Sequence, residues 1–556
     1  MNDGAPTHEL TPAMHWGDMI HREDVFGEPC LCFQTRPKHL AELFVDARRF
    51  TDRTYLADAE HGVSFAEHEH LVASGAAMLA RHGVEPGARV MLLGANSIGW
   101  VIAFWATIAA QAVVVLGNAW WSAEEVQHAV AESAPSLVIA DQRCRGKLGI
   151  EVPSLLFGEF VAERTSEPTS RVVAPVPDED ATAVVLFTAG TTGRPKGAIL
   201  THRGILSTLQ SLLLISNRLP SAQRPRPGPS TALVSLPLFH IGGLQQIMTP
   251  MVTGGTVAFT SGRFDPAQVV ELIERHSINN WSGVPTMVSR VVDFLEQSGG
   301  KPMPQVRTIG MGGSLVSDAL RAKVRLWFPN SIRRIAVTYG LSEAGGVVAT
   351  ATGDSVTDRP GSVGRALPTV DIRIDAIPDV GDGEILIRAP SVMLGYLTAS
   401  GTVDPGLLGG CRWLRTGDVG HLDDDGYLFI TDRLKDIVIR GGENVATSHV
   451  ENVLYEHHAI AEVAVFGLPH AELGEEVAAV VRFKDGAMIT TDELERYARD
   501  RLAAFEVPSH WRVVDTELPK SPVGKILKRE VRKGWLEDAL TSSATSNKDV
   551  KDAHRP

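Results

Sequence analysis

The run Leu186–Gly204, LFTAGTTGRPKGAILTHRG, concentrates side chains and backbone suited to holding phosphate. Consecutive main-chain N–H groups in such a loop form an anion nest, and Gly190 and Gly193 let the backbone approach phosphate oxygens. The hydroxyls of Thr188, Thr191 and Thr192 add donors, and Arg194 and Lys196 add charge. The chemistry to expect is capture of ATP phosphates. The spacing is not GxxxxGK[ST], because Pro195 precedes the lysine and Gly197 follows it. Taken alone, the same composition suits a solvated turn between a strand and a helix. The rest of the chain decides between the two.

A phosphate loop needs a strand to carry it in and a packed layer beneath. ATAVVLFT (181–188) supplies the entering strand, and a helix is expected from about His202. From about residue 50 to 430, short β-branched runs alternate with helix-like stretches. RVMLLGAN (89–96), SLVIAD (136–141), TALVSLP (231–237) and TVAFT (256–260) are examples. This predicts an α/β class: a large N-terminal layered α/β domain with parallel strands over residues 1–431. Around 363–430 the texture changes to short strands between Gly, Asp and Pro turns, which predicts a β-rich subdomain. A small α+β C-terminal domain is expected over 432–540, and a polar tail, expected to be disordered, over 541–556.

Composition sets limits. With 556 residues, 44% hydrophobic and 21% charged, the chain can bury a large core. Net charge of −13 argues against a general nucleic-acid or anionic-membrane binder. Four cysteines are too few for a disulfide scaffold, so a reducing cytoplasm is expected. The N-terminus has neither a basic flank nor an apolar stretch, so no signal peptide is expected. Trp100–Trp121 is uncharged and long enough to span a bilayer, but Gly117 and Asn118 interrupt it and no basic cluster flanks it. It reads as a buried helix feeding a buried strand.

Six further stretches follow the loop in order: LPLFHIGGL (236–244), MGGSL (311–315), YGLSEAGG (339–346), TGDVGHLDDDGYL (416–428), DRLKDIVIRGGENV (432–445) and LPKSPVGKILKREVR (518–532). The ordered set resembles the adenylate-forming superfamily, from about residue 50 to 535. That resemblance implies a mobile small domain and a two-step ligase. A carboxylate attacks the α-phosphorus of ATP and expels pyrophosphate. A thiol, usually of coenzyme A, then attacks the acyl-adenylate and expels AMP.

By resemblance, Thr188, Gly190, Thr191, Thr192, Gly193 and Lys196 cradle the β- and γ-phosphates. Gly312 and Gly340 line the nucleotide site, and Tyr339 stacks on adenine. Ser342 bonds the α-phosphate, and Glu343 holds Mg²⁺. Asp418 accepts the ribose hydroxyls, with Arg433 beside it. Lys525 bridges carboxylate and α-phosphate. Lys435 marks the pivot, and Gly441 and Gly442 face the thiol tunnel. His240 sits beside the acid pocket, where an amino-acid-activating relative carries an aspartate for the substrate ammonium, so an amino-acid substrate is disfavoured.

Read as bare residues, Tyr339 is as good a core tyrosine, Glu343 an exposed turn glutamate, and Asp418 with Arg433 a surface pair worth little. Lys525 opens a helix, where a cation opposes the dipole. The pairs His68/His70 and His457/His458 read as surface residues.

Departures from the family's pattern are local. Ala189 stands where Ser or Gly is usual, and Ser342 where Thr is commoner. Ala446, Thr447 and His449 stand where Tyr, Pro and Glu are frequent. Glycines near the expected pocket suggest room for a fatty acid or a bulky ring-bearing acid rather than acetate. The alternatives are an acyl-AMP ligase serving a carrier protein, disfavoured by the compact step from Glu343 to Asp418, and a non-catalytic nucleotide-binding protein.

Overall fold

The structure, a computed structural model, describes residues 16–59, 61–149, 152–158, 172, 178–188, 195–221, 230–312, 316, 318–376, 382–398, 403–404, 412–484, 486–487, 489–521 and 524–538. Its large domain holds two large sheets, with helices packed between and around them, and a small hairpin of Ile20–Val25 and Glu28–Phe33. In the eight-stranded sheet, Ser154–Leu156, Leu137–Ala140, Arg89–Leu93, Val113–Gly117 and Thr182–Thr188 lie side by side and parallel. Leu137–Ala140 and Val113–Gly117 are buried at every residue. Strands covered on both faces read as unbroken apolar runs, which is why VVVLG and LVIA lack alternation. Lys196–Thr201 closes on Thr182–Thr188 as an antiparallel hairpin, with Lys196 opposite Thr188. The helix His202–Ile215 follows at once, capped by the Thr201 hydroxyl.

The thirteen-stranded sheet is parallel from Ile335–Leu341 through Thr308–Gly312, Asn280–Gly283, Thr231–Val234 and Thr256–Phe259 to Thr54–Ala57. Beyond Ile335–Leu341 it turns antiparallel. The β-rich portion read at 363–430 is this wing, continuous with the parallel part through Gly346–Thr352 and Ser362–Ala366. Between the sheets runs the helix Ile98–Ala109, with Trp100 and Trp105 fully buried. It feeds the strand Val113–Gly117, as its composition implied. Among the described residues no helix is long and apolar enough to cross a membrane.

The small domain has its own sheet of Glu443–Val445, Val438–Arg440, Gly474–Phe483 and Ile460–His470, with His510–Val513 parallel to Gly474–Phe483. Thr447–Tyr455, Thr491–Arg499 and a helix over 528–538 pack on it. Val438, Val450, Leu454, Val465 and Leu494 form a core separate from the large domain's. The last large-domain strand, Tyr427–Arg433, joins it through a turn in which the N–H groups of Asp436 and Ile437 both donate to the Arg433 carbonyl.

One histidine reading is overturned. His68 is not a surface residue. It is fully buried, facing Phe44 and Tyr55 at 5.6 and 4.7 Å, with no hydrogen-bond partner for either ring nitrogen. Alternation on the helix Phe65–Arg81 puts His68 on the core face, and burial pulls its pKa down to about 3, so it packs as a neutral ring. Among the described residues no cluster of three His, Cys, Asp or Glu could hold a metal.

Candidate active site

Three parts of the chain far apart in sequence, a strand, a hairpin and a turn of the small domain, meet at one cleft. The Tyr339 hydroxyl donates to Asp418 Oδ2 at 2.7 Å, joining the strand Ile335–Leu341 to the strand Leu414–Leu422. Arg433 Nε approaches Asp418 Oδ1 at 3.0 Å from the next strand, whose register sets Arg433 directly opposite Asp418. Asp418 is buried, and its own N–H donates to the Thr416 hydroxyl at 3.1 Å. Each carboxylate oxygen has two lone pairs, so both can still accept hydroxyl donors. Burial and the adjacent Asp418 charge raise the Tyr339 pKa well above its ordinary value, so it stays a donor.

Lys525 reaches this cluster from the small domain. It does not open a helix, as its sequence context had suggested. It lies in a turn closed by an isolated bridge between Lys520 and Ile526, with the Ser521 N–H donating to the Lys525 carbonyl at 2.7 Å. The helix begins only at 528, so no dipole opposes the charge. A Cβ on Gly524 would stand 2.9 Å from Thr286 Oγ1, so the turn rests against the start of the helix Pro285–Gln297. Lys525 is exposed to solvent at the mouth of the crevice between the domains. Desolvation there, with the Arg433 charge, pulls its pKa down to about 8 against the opposing pull of Asp418 and Asp436.

A second constellation holds Glu343. Its residue lies in the short turn of helix Ser342–Ala344, and the Tyr396 hydroxyl donates to Glu343 Oε1 at 2.9 Å. The same tyrosine ring carries the Lys196 ammonium at 5.2 Å from its centroid. Tyr396 thus ties Lys196, at the start of the strand Lys196–Thr201, to Glu343. Sequence reasoning missed it, although the aromatic in LGYL one strand beyond the hairpin was a signal. A carboxylate with one oxygen fixed by a neutral donor suits a hard divalent cation such as Mg²⁺. Thr188 and Lys196 flank the loop at paired positions, while Gly190, Thr191, Thr192 and Gly193 lie outside the described residues.

His240 precedes the helix Ile241–Thr253, against Phe239 at 4.8 Å. Its Nε2 is buried without a partner, and desolvation pulls its pKa down to about 4, so the ring is neutral. At five of the glycines nearby a Cβ would collide with a neighbour, whereas at Gly242 it would make an ordinary contact and Gly313 lies outside the described residues. A Cβ would meet Pro237 O at 2.2 Å from Gly243, Thr338 Oγ1 at 2.3 Å from Gly312, Gly346 O at 2.2 Å from Gly340, Ser391 O at 2.3 Å from Gly345 and Gln245 Nε2 at 2.1 Å from Gly346. At those five the missing Cβ lets elements touch and adds no pocket volume.

Lys435 is exposed in the interdomain turn. Gly441 and Gly442 form the tip of the hairpin Val438–Arg440/Glu443–Val445, both with positive φ as a primed turn requires. The Gly441 N–H donates to the Leu473 carbonyl at 2.8 Å, so in this arrangement the tip belongs to the small domain's surface and not to the Asp418 cluster.

The AMP-binding enzyme model matches residues 43–397, and the AMP-binding enzyme C-terminal domain model matches 449–525. The chain belongs to the AMP-binding enzyme family. Among relatives, it is 33% identical over 503 residues to a feruloyl-CoA synthase of Amycolatopsis sp, covering 87% of this chain and 97% of that one. It is 30% identical over 544 residues to a long-chain-fatty-acid–CoA ligase of Bacillus subtilis, covering 89% and 94%. Among solved structures it resembles the o-succinylbenzoate CoA synthetase of Bacillus subtilis in two complexes. With the acyl-adenylate intermediate bound, the TM-score is 0.77 at 27% identity, covering 88% of this chain and 97% of that one. With ATP and magnesium ion bound, it is 0.76 at 26%, covering 88% and 99%. For a member of the AMP-binding enzyme family, the Tyr339–Asp418–Arg433–Lys525 cleft lies where the chain's two matched domains meet.

Proposed function

We propose that this cleft activates a bulky carboxylic acid, ring-bearing or long-chain, as its acyl-adenylate and then transfers the acyl group to coenzyme A. The protein is an ATP-dependent, AMP-forming acid–thiol ligase, with ATP, Mg²⁺ and coenzyme A as its cofactor and co-substrates. The observation that carries the site assignment is the meeting of Asp418, Tyr339 and Arg433 with Lys525, which a turn of the other domain delivers.

In the first step the acid's carboxylate oxygen bonds to the α-phosphorus of ATP and the bond to pyrophosphate breaks. Asp418 accepts the ribose hydroxyls, its orientation fixed by Tyr339 and Arg433. Tyr339 presents its ring face to adenine. The hairpin Thr188–Lys196 takes the departing phosphates, with Ser342 on the α-phosphate. Lys525, as an ammonium, bridges the two anionic reactants, a preorganised charge of the kind that contributes most to such transition states. Glu343, oriented by Tyr396, would hold Mg²⁺, which supplies charge neutralisation on phosphate oxygen. In the second step the thiolate sulfur attacks the acyl carbonyl and AMP leaves with the bonding pair.

The neutral His240 offers an ammonium no partner, which supports an acid without an α-amine. Relatives acting on feruloyl and long-chain acyl groups support a bulky apolar tail. The test is AMP release with ferulate, palmitate, acetate and phenylalanine, each with and without coenzyme A. Coenzyme-A-dependent turnover of ferulate or palmitate is expected. Preference for acetate or phenylalanine would refute the acid class, and loss of the coenzyme A requirement would favour transfer to a carrier protein.

A further inference from the structure

The two domains are bound by a buried polar chain whose members, Asp432, Thr447 and Lys528, are given no role by the resemblance above. Asp432 is the penultimate residue of the last large-domain strand, before the turn that carries Lys435. Thr447 begins the first small-domain helix, beyond that turn. The Thr447 N–H donates to Asp432 Oδ2 at 2.5 Å, and its hydroxyl lies 3.2 Å from the same oxygen. Lys528 Nζ donates to that hydroxyl at 2.8 Å and pairs with Glu451 Oε1 at 2.9 Å. Glu451 Oε1 also accepts from the Val465 N–H at 2.8 Å, which fixes it to the small domain's sheet. The Ser448 hydroxyl donates to the Thr431 carbonyl, a second tie across the turn. Thr447 is fully buried and Asp432 is 6% exposed, so the chain works in a desolvated setting.

The placement gives this cluster a consequence for Lys525. Lys528 lies three residues beyond Lys525 and starts the helix over 528–538. Anchoring Lys528 to Thr447, and Thr447 to Asp432, fixes the base of the Lys525 turn relative to the strand that carries Arg433. Asp432 and Thr431 lie on one side of the turn at Lys435, and Thr447, Ser448, Glu451 and Lys528 on the other. A rotation of the small domain about that turn must therefore break the Asp432–Thr447 and Thr431–Ser448 contacts. The ties also depend on local sequence: a proline at 447 would start a helix well but has neither N–H nor hydroxyl.

We infer that Asp432, Thr447 and Lys528 are positioning residues that latch the domains in the arrangement that forms acyl-adenylate, and that the latch opens for thiol transfer. This rests on the two-step reading above. Partner and solvent exchange favour a hydrogen bond to a buried charge, so its loss should shift the balance between arrangements about tenfold or more.

The test compares full-length wild type with Thr447→Val, Thr447→Ser, Asp432→Asn and Lys528→Met. Pyrophosphate exchange reports the first step, and coenzyme A capture of preformed acyl-adenylate reports the second. Exchange is expected to fall about tenfold in Thr447→Val, Asp432→Asn and Lys528→Met, while capture stays level or rises. Thr447→Ser, which keeps N–H and hydroxyl, should restore exchange. Equal losses in both steps, or no loss in either, would overturn the latch. If Asp432→Asn does not fold, the Val and Ser variants at 447 decide alone. Absence of exchange in the wild type would instead overturn the ligase reading itself.

Discussion

Lys525 carries the sharpest predictions at the scale of single residues. Replacing it by alanine removes one preorganised cation, which costs about 10²–10³ in rate when such a group faces developing charge. Lys525→Ala should lose that factor in pyrophosphate exchange and largely spare thiol capture from supplied acyl-adenylate; matching losses in both would refute the role. Its pKa, pulled down to about 8, adds a pH signature. The ammonium is the working form, so adenylation should decline as pH rises through about 8. Lys525→Arg should move that decline to higher pH, since guanidinium keeps its proton. Tyr396 offers a test of the unforeseen contact to Glu343. Outer-shell partners of metal ligands typically contribute about 10–100-fold in affinity. Tyr396→Phe should raise the Mg²⁺ concentration for half-maximal adenylation by about tenfold, and an unchanged titration would detach Tyr396 from the metal.

Elements matter here through how closely they approach. The strand Gly346–Thr352 begins with φ of 117° at Gly346, where a Cβ would overlap the Gln245 amide. Gly346→Ala should therefore lower the melting temperature, at a cost of about 1–3 kcal/mol from strain and displacement. A melting curve like wild type would show that Gln245 moves aside freely. The same closeness explains a gap in the sequence reading. Glycines in FHIGGL, MGGSL and SEAGG suggest an open pocket, but at Gly243, Gly312, Gly345 and Gly346 the space is filled by Pro237, Thr338, Ser391 and Gln245. The hairpin strand Lys196–Thr201 was also hidden, because ILT after a glycine loop is as compatible with a helix entrance as with a short strand.

The whole molecule couples acidity to stability through buried rings. His68 and His202 have pKa values pulled down to about 3, and His39 and His240 to about 4, all chiefly by desolvation. The folded state then binds fewer protons than the unfolded one below about pH 6.5, so stability is full above that pH and is lost as pH falls toward 4. Each ring contributes up to about 1.4 kcal/mol per pH unit in that window. His68→Phe should flatten the fall of melting temperature between pH 6.5 and 4, while an unchanged slope would mean His68 titrates alike in both states. At the same scale, Lys435→Pro stiffens the only turn joining the two cores among the described residues. It should slow thiol capture more than adenylation, and unimpaired capture would place the pivot elsewhere.

Much of this protein could be read from the chain before any coordinates. Apolar runs without alternation mark parallel strands buried on both faces, and the uncharged stretch from Trp100 is a buried helix feeding a buried strand in sequence and structure alike. The ordered motifs identified the family, because each needs residue types that local physics dictates: glycines where backbone nears phosphate, hydroxyls and cations around anions. Tertiary structure alone decided which side chains share a carboxylate. Tyr339 and Asp418 are 79 residues apart along the chain, yet the folded sheet brings the tyrosine hydroxyl onto the carboxylate, and strand register sets Arg433 opposite it. It alone buried His68, filled the space beside the glycines and tied Thr447 to Asp432. Hydrophobic periodicity specifies which face of an element is covered, but the partner that covers it is chosen by packing against the rest of the molecule.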